Sequence, residues 1–234
     1  MNFPFFSFPA RLLSAALLCT AGGAAAATYS ASWNTGFLNN GAVPDGSATG
    51  WSDSRSISIP ADQTVTDVNV TVSLGGGWNG DLFAYLTHSS SPGVAVLLNR
   101  PGRTGANAFG FGDSLLTVTL DDGAANGDAH FYQSAVSYQT AISTNASFQP
   151  DGRAASPFTV NGTEPRTAML SLFNGMNASS GNWTLFVADL SSGDVSTIAN
   201  WGLSITTVPE PGAAGLLLLG GAAFFSRRRR QTPA

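Results

Sequence analysis

Between residues 57 and 207, apolar and polar positions alternate with a period of two rather than 3.6. Val68, Val70, Val72 and Leu74 are interleaved with Asp67, Asn69, Thr71 and Ser73. Leu116, Val118 and Leu120 alternate with Thr117, Thr119 and Asp121, and Trp201, Leu203 and Ile205 with Gly202, Ser204 and Thr206. Each run predicts a strand with one face buried and one face wet. Leu82–Leu86, Val94–Leu98 and Trp183–Val187 are apolar on both faces and predict more central strands. Turn chemistry separates the runs: Gly75-Gly76-Gly77, Asn79-Gly80, Pro101-Gly102, Asn174-Gly175 and Gly193-Asp194. Short strands at this spacing predict an all-β, jelly-roll-like β-sandwich. Residues 123–166 scatter Phe131, Tyr132, Tyr138, Phe148 and Phe158 among polar neighbours and read as strands joined by long loops.

The two ends carry a different pattern. Arg11 opens the apolar run Leu12–Leu18, and a small-residue stretch follows to Ala27. An apolar core followed by A-x-A is what signal peptidase reads, so Ala25 and Ala27 predict a cut before Thr28 and residues 1–27 form a signal peptide. The run is too short for a membrane anchor. Leu18, not a small residue, precedes Cys19, which favours an ordinary signal peptide over a lipoprotein signal. At the other end Val208-Pro209-Glu210-Pro211 leads into the 14 apolar or small residues Gly212–Phe225, then Ser226 and Arg227–Arg230. A full span takes about 20 residues, and the arginines would stay cytoplasmic, placing the domain outside. A Pro-Glu-Pro box, a weak span and Arg227, Arg228, Arg229 and Arg230 together resemble the PEP-CTERM sorting signal. That resemblance implies an exosortase cutting near Pro209–Pro211, a membrane-anchored precursor held transiently in the inner membrane, and delivery to the cell surface or extracellular matrix of a Gram-negative, polysaccharide-producing bacterium. The chain then divides into leader 1–27, lead-in 28–56, sandwich 57–207, sorting signal 208–230 and tail 231–234.

Charge narrows the partners. The chain has no lysine, and Thr28–Thr207 holds five arginines against thirteen carboxylates, a formal charge near −8. Without a basic stripe it is not a nucleic-acid binder. The one cysteine, Cys19, lies in the leader, so the exported domain has neither a disulfide framework nor a Cys-ligated metal.

From about Ile57 to Thr206 the sequence resembles the P domain (P/Homo B) of the proprotein convertases. The matching stretches come in the family's order: Ile59-Pro60, Val65–Val72, Gly80-Asp81-Leu82, Pro92-Gly93, Val96–Arg100, Asp121-Asp122, Phe173-Asn174-Gly175, Gly181–Asp189, and Trp201–Ile205. Where that family has a His-Thr pair before Gly-Asp-Leu, this chain has Gly75–Asn79. The subtilisin-like catalytic domain that normally precedes a P domain has no counterpart in Thr28–Ser56. These are glycines, strand apolars and a tryptophan, residues that specify architecture rather than activity.

Chemistry is sparse. His88 sits at a strand end and His130 in the irregular region; both read as surface residues, neither has metal-site spacing, and no Gly-x-Ser-x-Gly elbow is present. No catalytic residues are assigned, and the domain is expected not to be an enzyme. Calcium is the cofactor to consider, since it takes oxygen ligands from carboxylates in Gly-rich turns: Asp81, the pair Asp121 and Asp122, Asp189 and Asp194. The resemblance adds to this, because P-domain proteins are often calcium-dependent. Against it stands the habit of aspartate to cap turns through its own backbone. Of five tryptophans, Trp183 and Trp201 follow strand alternation and belong in the core, whereas Trp78, in a Gly-rich loop, is the candidate for stacking on a sugar ring. The expected function is a surface or matrix module that binds polysaccharide or a surface protein. The alternative is an accessory domain supporting a separate subtilisin-like protease.

Overall fold

The computed structural model describes residues 25–135 and 146–210. Most of the expected signal peptide (up to residue 24), Tyr138, and the expected sorting tail from Pro211 through Arg227–Arg230 lie outside the described residues. Among the described residues there are nine strands: β1 (Ala27–Trp33), β2 (Ser47–Arg55), β3 (Gln63–Gly75), β4 (Leu82–His88), β5 (Val94–Asn99), β6 (Leu115–Leu120), β7 (Ala146–Phe148), β8 (Trp183–Asp189) and β9 (Thr197–Pro209). Helical structure among them is limited to short 3₁₀ turns, and no helix is long and apolar enough to cross a membrane.

One sheet has the order β1-β9-β3-β6-β7 and the other β2-β8-β4-β5. Apart from the short parallel β7, the chain is wound as four antiparallel pairs, β1 with β9, β2 with β8, β3 with β6 and β4 with β5. That winding is the jelly roll the alternation predicts. The lead-in 28–56 supplies β1 to one sheet and β2 to the other.

Alternation explains the layers. Val68, Val70, Val72 and Leu74 of β3 are buried in a single core with Leu86, Leu185 and Val187 of the facing sheet. Their polar neighbours make hydroxyl ladders on the outer face, with Thr71 bonded to Thr119 at 3.1 Å and Ser73 to Thr117 at 2.9 Å. Cross-strand pairs of this kind hold register at a wet sheet face.

The structure corrects the placement of Val94–Leu98. β5 is the edge of its sheet, not a central strand. It is apolar on both faces because irregular chain covers the edge: Asp151 N and Gly152 N donate to Leu97 O and Val96 O, and Val96 N donates to Ala168 O. Periodicity cannot separate a central strand from an edge that a loop has closed.

β9 runs the length of the molecule. Thr197 pairs with Gly75 at one end and Pro209 with Gln63 at the other, where Ala27 also pairs with Thr207. At about 3.3 Å per residue the two ends are about 40 Å apart. The Pro-Glu-Pro box therefore begins inside the sheet, and Glu210 N still donates to Asp62 O at 2.7 Å.

Candidate ligand-binding site at one end of the sandwich

The end of the sandwich where β9 begins gathers three loops. Gly75 pairs with both Thr197 and Leu115, and Leu82 pairs with Asp189. This register brings together the turn 76–81, the loop 100–113 and the loop 190–196. Backbone bonds join them: Asn79 N to Asp113 O at 2.7 Å, Gly80 N to Phe111 O at 2.8 Å, and Leu190 N to Asp81 O at 2.9 Å. Gly80 is required here, because a Cβ would meet the Phe109 carbonyl and the Phe111 amide. Any other residue would push the loops apart.

Between them lies an open cleft of about 290 Å³ lined by Trp78, Asp81, Phe109, Ser191, Ser192 and Asp194. Trp78 is 45% exposed and Phe109 69% exposed, with Val195 exposed nearby. Large aromatics left in water on opposing loops are the unusual feature. Beneath them Arg100 is held in a left-handed conformation, φ 52°. Its Nε donates to Gly80 O at 2.8 Å and its Nη2 to Asp81 Oδ1 at 3.0 Å and Ser191 Oγ at 3.3 Å. A non-glycine residue there is strained, and such strain gathers at binding sites. Burial lowers the Arg100 pKa, and Asp81 opposes that shift.

Asp189 is buried, accepting from Ser196 Oγ at 2.7 Å. Burial raises its pKa; the Ser196 bond works against this, and the charges of Asp81 and Asp45 add to it. The cleft thus offers aromatic faces, the carboxylates of Asp81 and Asp194 and two serine hydroxyls, with Asp81 paired to Arg100. No histidine among the described residues lines it, and Asp81 is committed to Arg100. The groups suit binding of a hydroxylated ligand.

Trp78, Asp81 and Asp194 are thus brought into one cleft, whereas Asp189 is buried and does not line it. Asp121 and Asp122 are not; they follow the far end of β6. Asp121 Oδ1 accepts from Gly123 N at 2.7 Å, and Asp122 accepts from Leu170 N at 3.0 Å and Ser171 N at 2.7 Å. The adjacent charges are satisfied by backbone amides, as turn and cap residues. Among the described residues no three carboxylate or imidazole groups converge as a metal site would require. Substituting Asp122→Ala is accordingly expected to cost about 1–2 kcal/mol. Thermal unfolding with and without a chelator checks this; a loss seen only without chelator would mean that Asp122 holds a cation.

Both histidines are corrected. His88 and His130 are buried, not on the surface. His88 ends β4 opposite Trp183, with ring centroids 4.6 Å apart, and burial lowers its pKa. His130 is enclosed by irregular chain whose packing leaves no periodic signature. Phe109, Arg100, Ser191 and Ser192 escape a sequence reading, because only the register of the strands brings the 100–113 and 190–196 loops together.

No protein-family model matches the sequence, and no curated protein does. Among solved structures the chain is similar to the serine protease of Aeromonas sobria in complex with its chaperone ORF2, at 16% identity and TM-score 0.44, over 79% of this chain and 27% of that one. It is similar in the same way to that protease alone, at 16% identity and TM-score 0.43, over 78% and 27% of the two chains. The chain spans about a quarter of the length of the protease it matches.

Proposed function

We propose that this chain is an exported, non-enzymatic surface or matrix module that binds a neutral polysaccharide in the cleft between Trp78 and Phe109. The observation that carries the reading is the pair of exposed aromatics facing carboxylates and hydroxyls in one open cleft. Indole and phenyl faces stack on the C–H face of a sugar ring, while Asp194, Ser191 and Ser192 exchange hydrogen bonds with its hydroxyls. A uronate would meet Asp194 and Asp81, and the nearby Arg100 is already paired with Asp81, so a neutral sugar is favoured. Bound calcium would lift that restriction. Position supports display: the cleft lies at the opposite end of β9 from the Pro-Glu-Pro box, about 40 Å away. In this reading signal peptidase and an exosortase process the two ends, and the cleft points away from the membrane that held the tail.

The test is calorimetric binding of the full-length chain to the neutral extracellular polysaccharide of the producing organism, with calcium and with chelator. Trp78→Ala and Phe109→Ala are each expected to weaken binding about tenfold, one stacking contact, with an unchanged melting temperature. Absence of binding by the unsubstituted chain in both conditions overturns the glycan reading. The remaining candidate would then be a protein partner, beginning with a separate subtilisin-like protease, as the P-domain resemblance suggests.

A further inference from the structure

The wall of the cleft that carries Phe109 belongs to neither sheet. It is the 100–111 loop, pinned within itself by Phe111 N to Pro101 O at 2.9 Å and by Arg103 Nε to Ala108 O at 3.1 Å. His130 grips the loop from outside at its 102–103 end, as the Gly80 N to Phe111 O bond does at the other. The backbone oxygen of His130 accepts from Gly102 N at 2.6 Å, and its ring Nε2 lies 2.8 Å from the backbone oxygen of Arg103. The other ring nitrogen, Nδ1, lies 2.7 Å from Asp151 Oδ2. Both side chains are fully buried, at 0% exposure.

Each ring nitrogen therefore faces an acceptor, one a carbonyl and one a carboxylate. A neutral imidazole has a single N–H and satisfies only one of them. Asp151 meets the ring as an acceptor: its Oδ1 accepts from Arg153 Nη1 at 3.1 Å and Arg153 N at 3.3 Å, and its Oδ2 from Asn99 N at 3.2 Å, so both carboxyl oxygens already take donors. We propose that His130 is an imidazolium in the folded protein and a positioning residue, clamping the 100–111 loop and with it Phe109 against the cleft. Only the effect on ligand affinity rests on the cleft being the binding site.

The surrounding charges agree. Arg153 pairs with Asp128 at 2.7 Å and lies 3.9 Å from Glu164, and Arg166 lies 3.7 Å from Asp128. The Arg103 guanidinium is held by backbone carbonyls, Nη1 donating to Val160 O at 2.7 Å. Ion pairs join Arg153, Arg166 and His130 to Asp128, Asp151 and Glu164. Gly162, at φ 84°, closes over the ring, where a Cβ would sit 3.1 Å from Nε2. Burial by itself works against the charge. The bond and charge of Asp151 and the Arg103 carbonyl outweigh burial and the repulsion from Arg153, and the His130 pKa stands above its ordinary value. A raised folded pKa means the clamp is complete below the unfolded value of about 6.5 and is lost as pH rises through the folded value.

Long-range proton–nitrogen spectra of the histidine rings in the full-length chain test this directly. At about pH 7 His130 is expected to show both ring nitrogens protonated, while His88, whose Nδ1 accepts from Ser90 N, shows one and serves as the internal standard. A single protonated nitrogen on His130 overturns the proposal. Amide exchange supplies the positional readout. Corrected for intrinsic rates, protection across 101–111 is expected to fall about tenfold as His130 deprotonates, and equally in His130→Gln at every pH, with β3 and β9 unchanged. Loop protection that ignores both changes refutes the clamp. Polysaccharide affinity should fall across the same pH step in the unsubstituted chain and be flat in His130→Gln. If no glycan binds at any pH, the reading of the cleft fails, and the ring spectra and loop exchange still decide His130. If His130→Gln does not fold, the titration of the unsubstituted chain decides alone.

Discussion

Replacing Asp151 by asparagine is expected to destabilise the protein by about 3–5 kcal/mol, the range for removing one partner from a buried charge cluster. Asparagine keeps the shape, so no cavity is opened and the loss reports charge. Asp151 is the hub of the irregular half of the molecule. Its side chain takes His130 and Arg153, its amide closes the β5 edge at Leu97 O, and its carbonyl accepts from Arg166 Nε at 3.0 Å. Without the carboxylate, Arg153 and a charged His130 face each other with one negative partner fewer. The chain has a single cysteine, Cys19, so no disulfide within it can do this work. Urea denaturation at about pH 6 measures the effect, with an unchanged m-value confirming that the folded states are alike. A loss below about 1 kcal/mol would mean that water already screens the cluster. The pH dependence sharpens the test. The unsubstituted chain should lose stability as pH rises from about 6.5 through the raised His130 pKa, and Asp151→Asn should lack that slope, because the partner that raises the pKa is gone.

The strands were legible for a physical reason. A sheet with one buried face imposes a two-residue period on side chains, and β3, β6 and β9 carry it almost without interruption. Trp183 and Trp201 could be assigned to the core on that period, and both are fully buried. Trp78 could be assigned to the surface because three glycines precede it. What stayed hidden is whatever depends on irregular chain. The covered edge of β5, the burial of His130 and the exposure of Phe109 arise from segments 100–113 and 146–170, where no period exists. The aspartates divide in the same way: Asp122 and Asp81 look alike in sequence, both beside glycine-rich turns. Only the fold shows that one caps Leu170 and Ser171 while the other meets Arg100 under the cleft.

Trp201→Ala is expected to cost about 3–5 kcal/mol, as for other fully buried tryptophans, and more than size alone explains. The indole lies in β9 opposite Trp33, with ring centroids 4.5 Å apart, and its Nε1 donates to Asp53 Oδ2 at 2.8 Å. Asp53 belongs to β2, in the other sheet, so this bond ties the two layers. Arg55 holds the same carboxylate at 2.7 Å and lies over Trp33, its Cζ 6.0 Å from the ring centroid. Trp183 is the natural comparison, since it is equally buried but its Nε1 has no protein partner among the described residues. Phenylalanine at either position removes a similar volume. At 201 it also strips Asp53 of a donor, and at 183 it removes an N–H that had no partner. Trp201→Phe should therefore be about 1–2 kcal/mol worse than Trp183→Phe, the difference being the tie between the sheets. Equal losses in urea would show that Arg55 alone satisfies Asp53 and that the layers are joined by apolar contact only.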